Sequence, residues 1–381
     1  MRQRADPPRR AIQWSFVALA LVAMGALALA VPGRMAALLL LGVALGVTLF
    51  HAAFGFASAY RVAIVHRDTA GVRAQVLMLA LATVLFAPAL ASGTLFGQPV
   101  GGAVAPLGVQ VVAGAFLFGI GMQLGGGCGS GTLYTVGGGN PKMVVTLVAF
   151  VAGSFWASLH MGWWQAQPGM PAVVLGEALG WPLAVVAQLG VLVLLHRLLA
   201  RFDRAPRHPE RAHRLRGPWP AMAGAALLAV VNFATLALAG HPWTITWAFT
   251  LWGAKAATLM GWDASTAPFW QGGFQQRALE SSVLADTTSV MDFGLILGAM
   301  LAAALAGRYA TRRGMNWRSL AAALIGGVLM GYGARIAFGC NIGAFFSGVA
   351  STSLHGWVWI VSALAGTVVG IRLRGVFGMA N

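Results

Sequence analysis

GMQLGGGCGSGTLYTVGGGN, residues 121–140, crowds nine glycines around Cys128, one of only two cysteines in the chain. Five of the seven residues at 125–131 are glycine. Each glycine costs a helix about 1 kcal/mol relative to alanine, so the helix is predicted to break there. What surrounds the break decides its meaning. The chain is 381 residues long, 58% hydrophobic and only 9% charged, whereas soluble domains carry roughly a quarter charged residues. Apolar runs recur along its whole length, each of about the 20 residues needed to cross the hydrocarbon. The composition therefore predicts an all-α integral membrane protein. Unwound backbone at membrane depth persists only where protein or a water-filled cavity covers it. The glycines are thus expected to break a helix, bare its N–H groups and present Cys128 at a gap in the bilayer.

The formal charge is +16, and 20 of the 25 basic residues fall in five clusters, at 2–10, 61–73, 197–216, 308–318 and 372–374. Basic clusters alternating with apolar spans mark cytoplasmic loops rather than a nucleic-acid surface. They place both termini in the cytoplasm and predict no nucleic-acid partner. Spans are expected at about 12–31, 35–54, 74–92, 108–124, 143–160, 179–199, 219–239, 290–306, 319–337 and 355–372. Segment 243–286 holds only a short apolar piece, WTITWAFTLWGAKAATLMGW, expected to be a broken or re-entrant helix. The first apolar run exceeds the 7–15 residues usual for a secretory signal, so it is expected to remain as a helix. This divides the chain into an N-terminal membrane helix (1–34), a first half (35–200), a basic cytoplasmic linker (201–217) and a second half (218–381).

The halves share a motif. GAFLFGIGMQLGGGCGSG (114–131) aligns without gaps to GGVLMGYGARIAFGCNIG (326–343) at a constant offset of 212. Gly114, Gly119, Gly121, Gly127, Cys128 and Gly131 fall on Gly326, Gly331, Gly333, Gly339, Cys340 and Gly343. Six matches that include both cysteines mark a duplicated unit. Charge-based spans have the first copy enter its loop travelling inward and the second outward, the inverted arrangement common in transporters. The paired glycines at 119/121 and 331/333 are expected to let helices approach closely.

A lone cysteine in a span is ordinarily a small buried hydrophobe. Two at equivalent positions of a repeat, each in a helix-breaking segment, point to function. Broken-helix N-termini attract anions, and a thiol best suits a soft acceptor such as sulfur, so an anion with a terminal sulfur is the expected ligand. GIGMQLG lacks dinucleotide-binding spacing and a βαβ setting. Metal binding is weak, without CxxC or a histidine pair; no metal and no cofactor are expected, and GxxxxGK[ST] is absent.

GGGCGSGTLYTVGGGN, FGCNIGAFFSGV and the order of spans between them resemble the YeeE/YedE family of sulfur-compound transporters, over about residues 35–375. The resemblance implies a bacterial inner-membrane protein with inverted repeats and re-entrant helix-loop-helix elements that carry cysteine at their centre. It implies uptake of thiosulfate or a related species by S–H···S contacts, without enzymatic turnover. Cys128, with Gly127, Gly129 and Ser130, and Cys340, with Gly339 and Asn341, would form the relay. FGFASAYR (54–61) resembles a family segment with a third cysteine, but Gly55 stands in its place. Arg61 matches an arginine of that segment and equally serves as a cytoplasmic topology charge.

Lys255 and Arg335 are candidates for anion attraction, and Asp292 and Glu280 for their partners or proton carriers. His51 and His355 are expected to be structural. A cytoplasmic sulfur-handling protein is a candidate partner. Two alternatives stand beside the transporter: a membrane sulfurtransferase or redox protein carrying sulfur as a cysteine persulfide or disulfide, and a channel in which the thiols are incidental.

Overall fold

Inside a bilayer every backbone polar group needs an internal partner, so apolar runs of span length fold as helices. A computed structural model of the chain describes residues 11–205, 213, 215–310 and 316–380. The basic cluster at 2–10, residues 206–212 and 214 of the predicted linker, and Arg312 and Arg313 lie outside them. The first part holds α1 (Trp14–Ala30), α2 (Gly33–His51), α3 (Phe56–His66), α4 (Ala70–Ser92), α5 (Val109–Gly125), α6 (Gly129–Gly137) and α7 (Pro141–Ser158). Two short helices, α8 (Met161–Gln165) and α9 (Leu175–Leu179), lead to α10 (Trp181–Phe202). Then come α11 (Ala221–Ala239), α12 (Thr246–Leu259), α13 (Gly273–Glu280), α14 (Thr287–Leu305) and α15 (Trp317–Ile336). A π-helical turn at Asn341–Phe346 runs into α16 (Ser347–Ala350), and α17 (Leu354–Arg374) follows. Among the described residues, nine helical stretches are long and apolar enough to cross a membrane, and α1, expected as a tenth span, is apolar but only 17 residues long. Strands amount to two pairs of two-residue segments.

Local signals explain several boundaries. Asn140 caps α7 by accepting from Lys142 N at 3.1 Å, with Pro141 at the first helical position where its missing N–H costs nothing. Asp286 caps α14 through Ser289 N at 2.8 Å, and Asn316 caps α15 through Ser319 N at 2.7 Å.

Three expectations are refined. Residues 61–73, expected as a loop, are mostly helical: Arg61 lies on α3, and α4 begins at Ala70. α3 buries Phe56, Ala57 and Tyr60 on one face, so its basic residues do not oppose the helix. The glycine-rich break is narrower than composition suggests, because only residues 126–128 are unwound. Gly129, Ser130 and Gly131 open α6, where tertiary packing overrides their poor propensity. Segment 243–286 contributes the fourteen-residue α12, too short for a full span.

The duplicated motif adopts matching backbone in both copies. α5, a break, α6 and α7 correspond at the offset of 212 to α15, a break, the helical segment 341–350 and α17. Gly126 (φ 93°) and its counterpart Phe338 (φ 60°) both take the left-handed conformation that ends the preceding helix. Cys128 (φ −85°, ψ −166°) and Cys340 (φ −110°, ψ −165°) then cap the short helices in the same extended conformation.

Contacts between the copies are reciprocal. α5 packs on α15 and α17, and α15 packs on α5 and α7. A Cβ on Gly114 would meet Gly333 O at 2.6 Å, and one on Gly121 would meet Gly326 O at 2.7 Å. A Cβ on Gly119 would run into Ala363 O, and one on Gly331 into Phe150 O. The repeated glycines therefore set the distance at which the four long helices cross. Phe118, Phe150, Phe249 and Trp359 pack around that crossing in one core with both cysteines.

Candidate functional site

Both cysteines sit where a long helix has stopped and a short one begins. Cys128 is 1% exposed and Cys340 fully buried. The short helices meet head to head: a Cβ on Gly129, at the start of α6, would lie 3.1 Å from Cys340 Sγ. Gly131 leaves room for the other thiol, since its Cβ would sit 3.4 Å from Cys128 Sγ. Glycine at both positions lets sulfur lie against bare backbone. Ser130 Oγ is 3.4 Å from Cys128 Sγ, and Ile342 N donates to Cys340 Sγ at 3.5 Å. Gly339 (φ 149°) delivers the chain to Cys340 in a conformation that favours glycine, and its carbonyl accepts from Trp359 Nε1 at 3.2 Å. The structure thus brings together Cys128, Gly129, Ser130, Gly339, Cys340 and Asn341. Gly127 precedes them, and its Cβ would meet Met143 Cε at 3.0 Å.

Tyr60 of α3 joins this group without having been foreseen. It is 3% exposed, and it lies next to Cys128 and the Asn341 side chain. Its hydroxyl lies within hydrogen-bonding reach of the Asn341 side chain, and both residues are buried. A hydroxyl both donates and accepts and an amide offers four bonds, so the pair keeps hydrogen-bonding capacity beside Cys128 that a ligand can use. No local signal singled out Tyr60. Its place depends on α3 folding back against α5 and α17, and the sequence pointed only to its neighbour Arg61.

Asp292 of α14 lies one turn after Thr288, which lines a cavity that ends at Gly339; it is fully buried, and neither carboxyl oxygen has a hydrogen-bond partner.

Two cavities bracket the thiols. One, of about 310 Å³, is lined by Thr244, Thr246, Trp247, Arg335 and Gly339, and so ends one residue short of Cys340. The other, of about 200 Å³, is lined by Phe54, Gly55, Ser58 and Gln75. Its lining residue Gly55 precedes Phe56, whose backbone N–H approaches Cys128. Ala221 lines the second cavity, and His241, just beyond the far end of α11, lines the first. The 19 residues of α11 separate the two mouths by about 28 Å, close to the thickness of the hydrocarbon core.

The other candidates occupy distinct places. Arg335 lines the larger cavity with its guanidinium 5.2 Å from the Phe269 ring, and its Nε is without a hydrogen-bond partner. Lys255 ties α12 to the C-terminal end of α13, donating to Leu279 O at 2.7 Å and Ser281 O at 2.5 Å. Glu280 accepts from Gln276 at 2.8 Å on the surface. Arg61 donates to Gln123 Oε1 at 3.2 Å, pinning α3 to the end of α5. His355 Nδ1 lies 2.8 Å from Ser353 Oγ, and the His51 ring packs on Trp219. Among the described residues no three His, Cys, Asp or Glu side chains group as a metal site.

These helices, with two interrupted elements meeting at paired thiols between opposed cavities, define a multi-pass membrane protein. Comparison with known families makes the class specific. The family model for sulphur transport matches residues 51–369, and the chain belongs to that family. The chain is 29% identical to the thiosulfate transporter TsuA of Spirochaeta thermophila over 343 residues, 84% of this chain and 93% of that protein. It is 34% identical to the probable transporter YedE of Escherichia coli over 155 residues, 41% of this chain. The matched part spans only 37% of the length of YedE from Escherichia coli and from Salmonella typhimurium. TsuA of Escherichia coli is 25% identical over 286 residues, 67% of this chain and 71% of that protein.

Proposed function

We propose that the chain carries thiosulfate or a related sulfur-containing anion inward across a bacterial inner membrane. Cys128 and Cys340 serve as its transient contacts. The observation that carries this reading is the approach of Cys340 Sγ to the first backbone turn of α6, with a Gly129 Cβ position 3.1 Å away. Two thiols and two helix N-termini then face one point. The thiols match the soft terminal sulfur, while N–H groups, the Tyr60 hydroxyl and the Asn341 amide match the anionic oxygens. The burial of Tyr60 and Asn341 against each other next to Cys128 supports this assignment. Arg335 attracts the anion into the larger cavity, and the anion leaves through the cavity at Gly55. Where the sequence departs from its family pattern at Gly55, Ser58 and Tyr134 supply hydroxyls: a Cβ there would lie 2.6 Å from Ser58 Oγ and 3.4 Å from Tyr134 Oη.

Several features fit an inverted repeat. The glycine contacts of α5 and α15 are reciprocal. The short helices end toward opposite mouths: Gly138 O accepts from Ala310 N, beside the basic cluster at 308–318, while Ser351 Oγ accepts from Ala103 N in the loop after α4. With the basic clusters facing the cytoplasm, both termini lie there, the cavity at Gly55 opens inward, and any sulfur-handling partner docks on that side.

The test is uptake of labelled thiosulfate by the full chain in reconstituted vesicles, with sulfate, sulfite and selenite as competitors. Cys128→Ser and Cys340→Ser are each expected to lower uptake at least tenfold. Full activity in both variants would refute the thiol role. A persulfide trapped on either cysteine during turnover would favour the sulfurtransferase instead.

A further inference from the structure

We propose that Asp292 carries one proton inward with each anion, so that the thiol site works as a proton–anion symporter. The inference rests on the sulfur-anion reading and supplies its driving force.

Asp292 lies in the first half of α14, a nineteen-residue membrane-crossing helix. It is fully buried, and both carboxyl oxygens lack a hydrogen-bond partner. An ionised carboxylate so placed is too costly without a partner, so the group holds its proton at rest. The packed elements bring it no basic side chain among the described residues. α2 meets α14 through Gly42 and Gly46, against the Met291 and Leu295 backbone. α6 meets it through Gly137 against the Ile296 backbone, and α1 through Ala20 and Met24 near Met300. α12 meets it through Trp252, which stacks on Phe293 and donates to Ser289 Oγ. The titratable groups that act on Asp292 are Asp286, on its own helix, and Cys340. Asp286 is already occupied, accepting from Trp247 Nε1 and from Ser289 N and Oγ.

The position couples two events. Thr288, one turn before Asp292 on the same face of α14, lines both the cavity that ends at Gly339 and an adjoining one of about 340 Å³ lined by Arg277 and Asp286. Water in these cavities is the proton source. An anion at the thiols and an ionised carboxylate beside them repel each other in a dry site. The anion therefore enters only while Asp292 is neutral. On the inner side the proton leaves to water, the carboxylate disfavours return of the anion, and Asp292 must be reprotonated from outside. One proton and one anion cross per cycle. No bond to sulfur forms or breaks, and no oxidant is consumed. Proton and anion binding are then mutually favourable, as linkage requires.

The test uses the full chain in liposomes loaded with a pH-reporting dye, with labelled thiosulfate outside. Thiosulfate is expected to acidify the lumen of vesicles carrying the wild type, and an alkaline interior to raise its accumulation at least tenfold. D292N is expected to lose the acidification and the response to the gradient, and D292E to restore both. Wild-type thiosulfate uptake or exchange without lumenal acidification would overturn the proton role and leave the sulfur-anion reading standing. A D292N protein that responds to the gradient as the wild type does would also overturn it. No thiosulfate exchange by the wild type at any pH would overturn both.

Discussion

At the level of single side chains, Tyr60 separates a structural role from a functional one. Its hydroxyl is buried beside Cys128 and the Asn341 amide, so folding gains at most one neutral hydrogen bond from it. Tyr60→Phe is expected to cost no more than about 1 kcal/mol of stability, while weakening the apparent affinity for thiosulfate at least about tenfold, as loss of one hydrogen bond to a charged ligand does. Melting in detergent and uptake kinetics check the two halves of the prediction, and an unaltered affinity would remove Tyr60 from the site. Arg335 is expected to act on rate: Arg335→Gln should slow uptake most at low ionic strength, because attraction by a charge in a water-filled cavity is screened by salt. The two cysteines were legible because each recurs at the same place in a repeat. Tyr60 was not, because no periodicity or spacing relates residue 60 to residues 128 and 341. Lys255, a candidate for anion attraction, donates to two backbone carbonyls at the C-terminal end of α13; they lie 24 and 26 residues away, so its apolar surroundings did not reveal them.

At the level of helices, the crossing of α5 and α15 tests the role of the repeated glycines. Gly326→Ala would drive a methyl into Gly125 N and Gly121 O, which are backbone atoms. They cannot yield as a side-chain end does, so about 1–3 kcal/mol of stability is expected to be lost. Gly25→Ala in α1 and Gly190→Ala in α10 meet nothing within 4 Å and are expected to stabilise their helices by up to about 1 kcal/mol. Thermal unfolding of the three variants in one detergent decides the matter. Equal melting temperatures would show that these glycines do not set the helix spacing. Span positions were readable to within a few residues because bilayer thickness imposes length. The narrowness of the break was not readable, since Gly129 and Gly131 are poor helix formers that the packing of both thiols holds in α6. Helix α3 was missed for a related reason: Arg61 and the basic residues after it read as a loop, while the helix rests on burial of Phe56 and Tyr60.

At the level of the whole molecule, the charge on the cargo meets the membrane potential. Each negative charge moved inward against about 100 mV costs roughly 2.3 kcal/mol. A dianion alone therefore faces about 4.6 kcal/mol, a bias of roughly 2,000-fold against accumulation. One accompanying proton halves the energy, leaving a net charge of −1 per cycle. An inside-negative potential set with potassium and valinomycin is thus expected to retard thiosulfate uptake, while an alkaline interior accelerates it. Acceleration by the potential would require more positive charge per cycle than Asp292 alone supplies. Topology is checked by fusing alkaline phosphatase after selected residues. Fusions after residue 205 should be inactive and fusions after residue 240 active; the reverse would invert the assignment of the two cavities.

The sequence by itself determined the membrane class, the approximate spans, the duplication at an offset of 212 and the equivalence of Cys128 with Cys340. Those properties follow from composition, bilayer thickness and internal self-similarity, all of which are written along one dimension. Only the tertiary structure decided that the two breaks meet head to head, that Tyr60 and Asn341 join Cys128 there, that Asp292 is buried one turn from a cavity-lining residue, and that cavities approach from opposite ends of α11. These arrangements depend on which helix faces pack together. That choice is made by shape complementarity among glycines, aromatic rings and thiols far apart in the chain, and no local pattern of residues records it.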